Sequence, residues 1–313
     1  MQQPPAVWRV RLIVHPTATA VSPTSRAAVR QALAMHDVEE VETTGRDHAT
    51  VLAREAATEG ADAVVVLAGD GTTNEAANGL LGSDTALAVI PAGSTNVFAR
   101  TLGLARDAGD AAAQAVEAMA QRSVRRVPVG RANDRMFMFH VGIGFDAAVV
   151  QQVERRMWLK RTVGQALFVC AAVSTWLRHY HHRRPRFSVE FGDGSIIEDG
   201  YFAICLITDP YTFLGPRPFN VVPGATGERG LSVVVVRSLK ARSLVGLASR
   251  ALRGGATIAD HPDTDVRHEQ HRIVVRGHGP VPWQADGDYL GQTEELVLSP
   301  DPDRLAVLVP PPA

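Results

Sequence analysis

In the first third of the chain, short apolar runs alternate with segments whose apolar positions recur at helical spacing. Residues 10–14 (VRLIV) predict a strand, 25–35 (SRAAVRQALAM) a helix, and 38–42 a short extended stretch. Residues 48–60 read as a second helix and 64–67 (VVVL) as a fully buried strand. A helix over 72–81, a strand over 85–90 (TALAVI) and helices over 97–104 and 110–121 follow. Strands alternating with helices at this spacing imply parallel βαβ units.

From about residue 127 the pattern changes. Residues 136–141, 201–208, 231–236, 272–275 and 296–298 read as strands, divided by turn-rich stretches such as FGDG, LGPRP and VPGATGERG. This favours an antiparallel, sandwich-like second domain. One long helical segment over 147–180 interrupts it. The expected division is 1–128 for the first domain and 129–299 for the second. The tail 304–309 (RLAVLV) is one more strand that could return to either.

Composition narrows the class. The chain has 313 residues, enough for two cores, and is 45% hydrophobic and 21% charged. A net charge of −1 sets up no strong field, so nucleic acid is not an expected partner. Cys170 and Cys205 sit in apolar surroundings and read as core thiols, which suits a reducing, cytoplasmic setting. The opening MQQPPAVWRVRLIVHP lacks the apolar core and cleavage site of a secretory signal. Residues 162–177 are too short for a spanning helix and contain Gln165, so any membrane contact is expected to be peripheral.

The stretch 155–186 carries Arg155, Arg156, Lys160, Arg161, Arg178, Arg183, Arg184 and Arg186 with Trp158, Trp176 and Tyr180. It fits either a dock on an anionic membrane surface or a core helix with a solvated basic end. His179, His181 and His182 read as surface residues, since no carboxylate or cysteine lies near them in sequence.

Candidate chemistry begins where the buried run 64–67 stops at AGDGTTNE. Thr72 and Glu75 fit a capping box, placing Gly69-Asp70-Gly71 between a strand end and a helix N-terminus. Ligands bind there in open α/β sheets, and helix N–H groups attract phosphate. Asp70 allows two readings. It hydrogen-bonds the backbone of a turn, or a divalent cation stands between it and a phosphate. The second strand–loop–helix, PAGSTN followed by VFARTLGL, could converge with the first on one nucleotide. Neither loop matches G-x-x-x-x-G-K-[ST] or G-x-G-x-x-G.

AGDGTTNEAANGL followed by PAGSTNVFARTLGL resembles the nucleotide-binding signature of the diacylglycerol kinase catalytic-domain family, which includes bacterial lipid kinases, ceramide kinases and sphingosine kinases. VGIGFDAAVV (141–150) and WQADGDYLG (283–291) resemble later segments of that family, so the likeness runs along nearly the whole chain. The resemblance implies transfer of the ATP γ-phosphate to a lipid hydroxyl with Mg²⁺. It also implies a Rossmann-like nucleotide domain, a β-sandwich lipid domain with the active site in the cleft between them, a tail (300–313) returning to the first domain, and a possible homodimer.

Carried onto this sequence, Gly69, Asp70, Gly71, Thr72 and Asn74 form the main phosphate and metal loop, with Gly93 and Ser94 on the second loop. Thr43 matches a threonine near the nucleotide, with Thr44 as the alternative. Asp286 and Asp288 match two acids of which the second is usually Glu and is assigned as proton acceptor. In a strand they would share a face, but Gly287 between them suggests a turn. Replacing Asp70 or Asp288 by Asn is expected to abolish lipid phosphorylation and leave thermal stability nearly unchanged.

Three departures stand out. Ala68 replaces a glycine, His15-Pro16 replaces Asn-Pro with Thr17-Ala18-Thr19 after it, and Arg229 in GERGL stands where a structural magnesium site would need an acid. The competing readings are an NAD kinase-like enzyme, whose family shares a Gly-Asp-Gly loop, and a nucleotide- or lipid-binding regulator on a degenerate scaffold.

Overall fold

The structure, a computed structural model, describes residues 7–155, 172, 174–176 and 184–310. Most of the helix expected over 147–180, the bulk of the basic and aromatic stretch, the histidines at 179, 181 and 182, and Cys170 lie outside the described residues. The chain forms two compact units, Met1–Val127 with Pro302–Ala313, and Pro128–Asp301.

The first unit runs β1 (Arg9–Val14), α1 (Pro23–Ala32), β2 (Asp37–Glu42), α2 (His48–Thr58), β3 (Ala63–Ala68), α3 (Asp70–Leu80), β4 (Ala86–Pro91), α4 (Val97–Thr101), α5 (Ala108–Ala120) and β5 (Val124–Val127). The second contains β6 (Gly130–Ala132), β7 (Arg135–Phe137), β8 (His140–Gly144), α6 (Phe145–Glu154), β9 (Phe187–Phe191), β10 (Ile196–Gly200), β11 (Phe202–Leu206), β12 (Thr212–Leu214), β13 (Arg217–Phe219) and β14 (Leu231–Val236). It continues with α7 (Ala241–Leu252), β15 (Thr264–Gln270), β16 (Ile273–Ala285) and β17 (Asp288–Pro300), after which β18 (Leu305–Leu308) rejoins the first unit.

The first sheet has the order β2-β1-β3-β4-β18-β5. Its pairs are parallel except β5, which runs antiparallel to β18. β3 (AVVVLA) and β4 (ALAVIP) are buried throughout, as central strands covered on both faces must be. β2 (DVEEVE) is one edge, and its charges resist pairing with a foreign strand. Glu40 is held there by Arg26 and Arg30 of α1.

In the second unit the pairings are antiparallel, with the main path β15-β14-β11-β8-β16-β17-β6-β7 and β9–β10 branching from β16. β16 pairs with β9 through Ile273–Gly277 and with β8 through Trp283–Ala285. Register shifts between Arg276 and Val281 and between Pro282 and Gln284 let one long strand serve both neighbours. Phe137, Val141, Phe187, Val189, Cys205 and Ile273 are among the residues of one core built by these strands.

Two local expectations change. The strand expected over 136–141 is broken into β7 and β8, because the N–H groups of Met138, Phe139 and His140 turn to a carboxylate instead of a neighbouring strand. α7 appears where no helix was read, with Ser243, Leu247 and Ala251 on its buried face. No helix among the described residues is long and apolar enough to cross a membrane.

Candidate functional site

In the first unit the chain leaves β1 for β2 on one side and then crosses to β3 on the other. The reversal places a crevice at the C-terminal ends of β1 and β3, where doubly wound sheets bind ligands. The residues there are His15, Gly69 and their neighbours. β3 does not end in a capping box at Thr72 and Glu75. The helix starts two residues earlier, with Gly69 as N-cap in an extended conformation and no side-chain cap bond. Thr73 satisfies the Gly69 carbonyl instead, through its N–H at 3.1 Å and its hydroxyl at 2.9 Å. Glu75 turns away to accept the Ala49 N–H at 3.2 Å in the first turn of α2, a helix whose N-cap residue Asp47 does not cap it with its side chain. The early start leaves the Gly71 and Thr72 N–H groups in a first helical turn, ahead of the first intrahelical bond.

The second loop comes within backbone contact of the first. Ala92 N–H donates to the Ala68 carbonyl at 2.8 Å. A Cβ on Gly93 would lie 2.7 Å from Gly69 Cα and 2.9 Å from Asn96 Oδ1, so no larger residue fits this approach. Asn96, in the left-handed region, folds the loop on itself by accepting the Gly93 N–H at 2.8 Å and donating to the Gly93 carbonyl at 3.0 Å.

Asp70 joins the two loops. Its Oδ2 accepts the Val97 N–H at 2.9 Å and its Oδ1 the Phe98 N–H at 3.2 Å, capping α4 from another strand. Arg100 of α4, absent from the sequence reading, lies close enough to interact with Asp70 and Arg106. Burial and then the Arg106 charge lower its pKa, while Asp70 opposes them. Asn74 is buried and receives the Asn78 amide on its side chain at 3.1 Å and on its carbonyl at 2.9 Å. Ser94 is exposed at the tip of the second loop.

Thr43 lies at the end of β2, buried, with its hydroxyl 2.7 Å from His15 Nδ1. The opposite ring nitrogen is 3.2 Å from the Thr17 hydroxyl. His15, a departure from the family pattern, therefore ties the ends of β1 and β2. Thr44 meets a different histidine, His48, at 3.0 Å.

The second unit positions Asp286 and Asp288 by a hairpin. Asp286 and Gly287 have φ of 50° and 88° between the paired residues Ala285 and Asp288, the two-residue turn that Asp-Gly favours. The Asp286 carboxylate accepts three backbone N–H groups, from Met138 at 2.7 Å and from Phe139 and His140 at 3.0 Å each. Asp286 N–H returns a bond to the His140 carbonyl at 2.9 Å. Asp288, half-buried, opens β17.

Beneath the turn lies a polar network whose members the sequence reading did not single out. Gln284, fully buried, accepts the Gly287 N–H at 2.9 Å and donates to Asp146 Oδ2 at 2.9 Å. Tyr211 donates its hydroxyl to Asp146 Oδ1 at 2.6 Å. Burial pushes the Asp146 carboxyl up, against the two hydrogen bonds that favour its charge. Burial and the neighbouring Asp146 likewise raise the Tyr211 hydroxyl. Gly142 is what makes room, since a Cβ there would fall 1.6 Å from Asp146 Oδ2. Glu154 at the end of α6 accepts the Tyr289 N–H at 2.7 Å. His140, packed on Tyr211 at 4.4 Å between ring centroids, is pushed down to about 3 by burial.

Arg229, where an acid was wanted for a structural metal, pairs with Glu269 at 2.9 Å. Among the described residues no three His, Cys, Asp or Glu side chains gather in a metal-binding group.

Comparison with known proteins adds four findings. The family model of the diacylglycerol kinase catalytic domain matches residues 9–132. A diacylglycerol kinase of Bacillus subtilis is 26% identical over 253 residues, covering 80% of this chain and 78% of that protein. Among solved structures, a diacylglycerol kinase from Bacillus anthracis superposes with a TM-score of 0.71 at 21% identity, over 97% of both chains. An NAD kinase from Archaeoglobus fulgidus, solved in complex with ATP, gives 0.55 at 11% identity, over 96% of this chain and 94% of that one. The two superpositions establish a shared fold, a parallel-sheet α/β domain with an antiparallel β domain.

Proposed function

We propose that the chain, whose residues 9–132 match the family model of the diacylglycerol kinase catalytic domain, is an ATP-dependent lipid kinase of that family. On this reading the γ-phosphate passes to the hydroxyl of diacylglycerol or a lipid of the same kind. The observation that carries it is the Asp70 clamp, which holds two glycine loops as one backbone surface at the ends of β3 and β4. That surface suits a triphosphate. Glycines admit the phosphates closely, and the first-turn N–H groups of α3 favour their charge. Gly69, Gly71, Thr72, Gly93 and Ser94 are assigned to nucleotide contact, with Asn74 and Thr43 shaping the site from beneath.

Asp70 Oδ2 accepts the Val97 N–H and Oδ1 the Phe98 N–H, and a carboxylate is the hard oxygen ligand that magnesium takes beside phosphates. Asp70 therefore fits a magnesium ion held on the phosphates, directly or through a water. When bound, that ion supplies charge neutralisation across the phosphates.

Asp288 is assigned as proton acceptor. The lipid hydroxyl oxygen forms its bond to the γ-phosphorus, the bond to the β–γ bridging oxygen breaks, ADP departs, and the hydroxyl proton passes to Asp288. Asp286 is assigned to positioning, because three N–H groups already occupy its carboxylate. Asp146, Gln284 and Tyr211 hold the turn between them.

Labelled ATP with Mg²⁺ and either a panel of long-chain lipid alcohols or NAD tests the reading. Label in a lipid supports it. Label in NAD places the chain with the NAD kinases, and label in neither leaves a binding role.

A further inference from the structure

The face of α7 turned away from its core is an apolar ridge among cations. Ser243, Leu247 and Ala251 are buried on the inner side, where the Ser243 hydroxyl donates to Asp263 at 2.5 Å. On the outer side Ala241, Val245, Ala248 and Leu252 are exposed, Val245 at 70% and Leu252 at 45%. At about 100° per residue these positions fall within an arc of about 60°, so they form one continuous strip along the helix.

The charges carried by α7 and by the residues that lead into and out of it have one sign. From Arg229 to Ala259 the sequence contains no Asp or Glu, while Arg237, Lys240, Arg242, Arg250 and Arg253 fall in or beside α7. Arg237 is engaged by Asp199, and Arg250 donates to the Thr257 carbonyl. Among the described residues no ion pair holds Lys240, Arg242 or Arg253. Apolar ridge and flanking cations together are what an amphipathic helix needs to settle at the boundary of an anionic bilayer. A second copy of the chain fits less well, because a two-fold contact would set these cations against their own kind.

We infer that α7 docks the second unit onto an anionic lipid surface. Val245 and Leu252 enter the acyl boundary, and Lys240, Arg242 and Arg253 meet the headgroups. This goes beyond phosphoryl transfer, rests on the residues of α7 and not on the cations of 155–186, and is tested without ATP.

The test is flotation of the full chain with phosphatidylcholine vesicles with and without phosphatidylglycerol, at low and raised salt. Binding is expected only with phosphatidylglycerol, weakening as salt rises. Val245→Asp with Leu252→Asp is expected to weaken it at least about tenfold with an unchanged melting temperature, since both side chains are exposed. Arg242→Gln with Arg253→Gln is expected to flatten its salt dependence. Wild-type affinity in the aspartate variant overturns the inference, as does failure of the wild type to bind phosphatidylglycerol vesicles. So does a variant that loses a dimer in sedimentation while keeping its lipid binding. Phosphorylation of detergent-dispersed lipid, measured on the same variants, reports on the kinase reading separately.

Discussion

Asp70→Asn separates a carboxylate that only manages phosphates from one that also holds the site together. The sequence alone led to an expectation of lost activity at unchanged stability; the geometry leads to a different one. α4 has no side-chain cap of its own, because its N-cap Asn96 is left-handed and folded back on Gly93. Asp70 supplies the cap with both oxygens, at 2.9 and 3.2 Å. An asparagine amide keeps one acceptor and sets its NH₂ against the other backbone N–H, so one charge-assisted bond is lost and a donor faces a donor. Such a loss costs about 2–3 kcal/mol. In a domain of this size that lowers the melting temperature by about 4–10 °C. Scanning calorimetry of wild type and variant, beside ATP turnover, measures both effects. A variant melting within about 1 °C of wild type refutes the clamp, whatever its activity.

The hairpin offers a paired contrast: Asp286→Asn is expected to destabilise the second unit by about 2–4 kcal/mol through its three N–H donors. Asp288→Asn is expected to abolish lipid phosphorylation with stability changed by less than about 1 kcal/mol, and denaturant titration with a label-transfer assay distinguishes the two. Gly142→Ala places a methyl at 1.6 Å from Asp146 Oδ2, displacing Asp146 and Gln284, and is expected to lower turnover about 100-fold; near-normal turnover would show that the network does not position the turn. Because burial holds His140 down to about 3 while the unfolded imidazole titrates near 6.5, the unfolded chain takes up a proton between those values that the folded unit refuses. Stability therefore falls below pH 6.5, by about 2 kcal/mol at pH 5 from this residue. Denaturant midpoints at pH 7 and pH 5 should show that loss in wild type and not in His140→Phe; parallel losses refute the assignment.

What was legible depended on how local the cause was. β3 and β4 read correctly because an uninterrupted apolar run in an alternating α/β pattern has few other destinations. The capping box at Thr72 and Glu75 misled because the pattern cannot register that Gly69 turns the chain three residues earlier. Nor can it register that Ala49, on another helix, draws Glu75 away. Asp286 and Asp288 look alike in sequence. They differ through N–H groups near residue 139, far away along the chain. β16 and β17 were seen only at 272–275 and 296–298, because their remaining lengths are polar or glycine-rich and pair through register shifts. α7 was readable, since ARSLVGLASRAL has helical spacing, but its setting among strands concealed it.

β18 carries a consequence for biosynthesis. It lies between β4 and β5, parallel to one and antiparallel to the other, and neither of those pairs with the other without it. The ribosome makes β18 only after the whole of Pro128–Asp301. At about 5–20 residues per second that interval lasts roughly ten seconds or more. Through it β4 presents a bare apolar edge and β5 has no partner, while the second unit, contiguous in the chain, is free to fold. The nascent polypeptide thus carries its earlier-made unit unfinished while the later one is synthesised, and a stalled or truncated product leaves the earlier unit open to aggregation at the β4 edge.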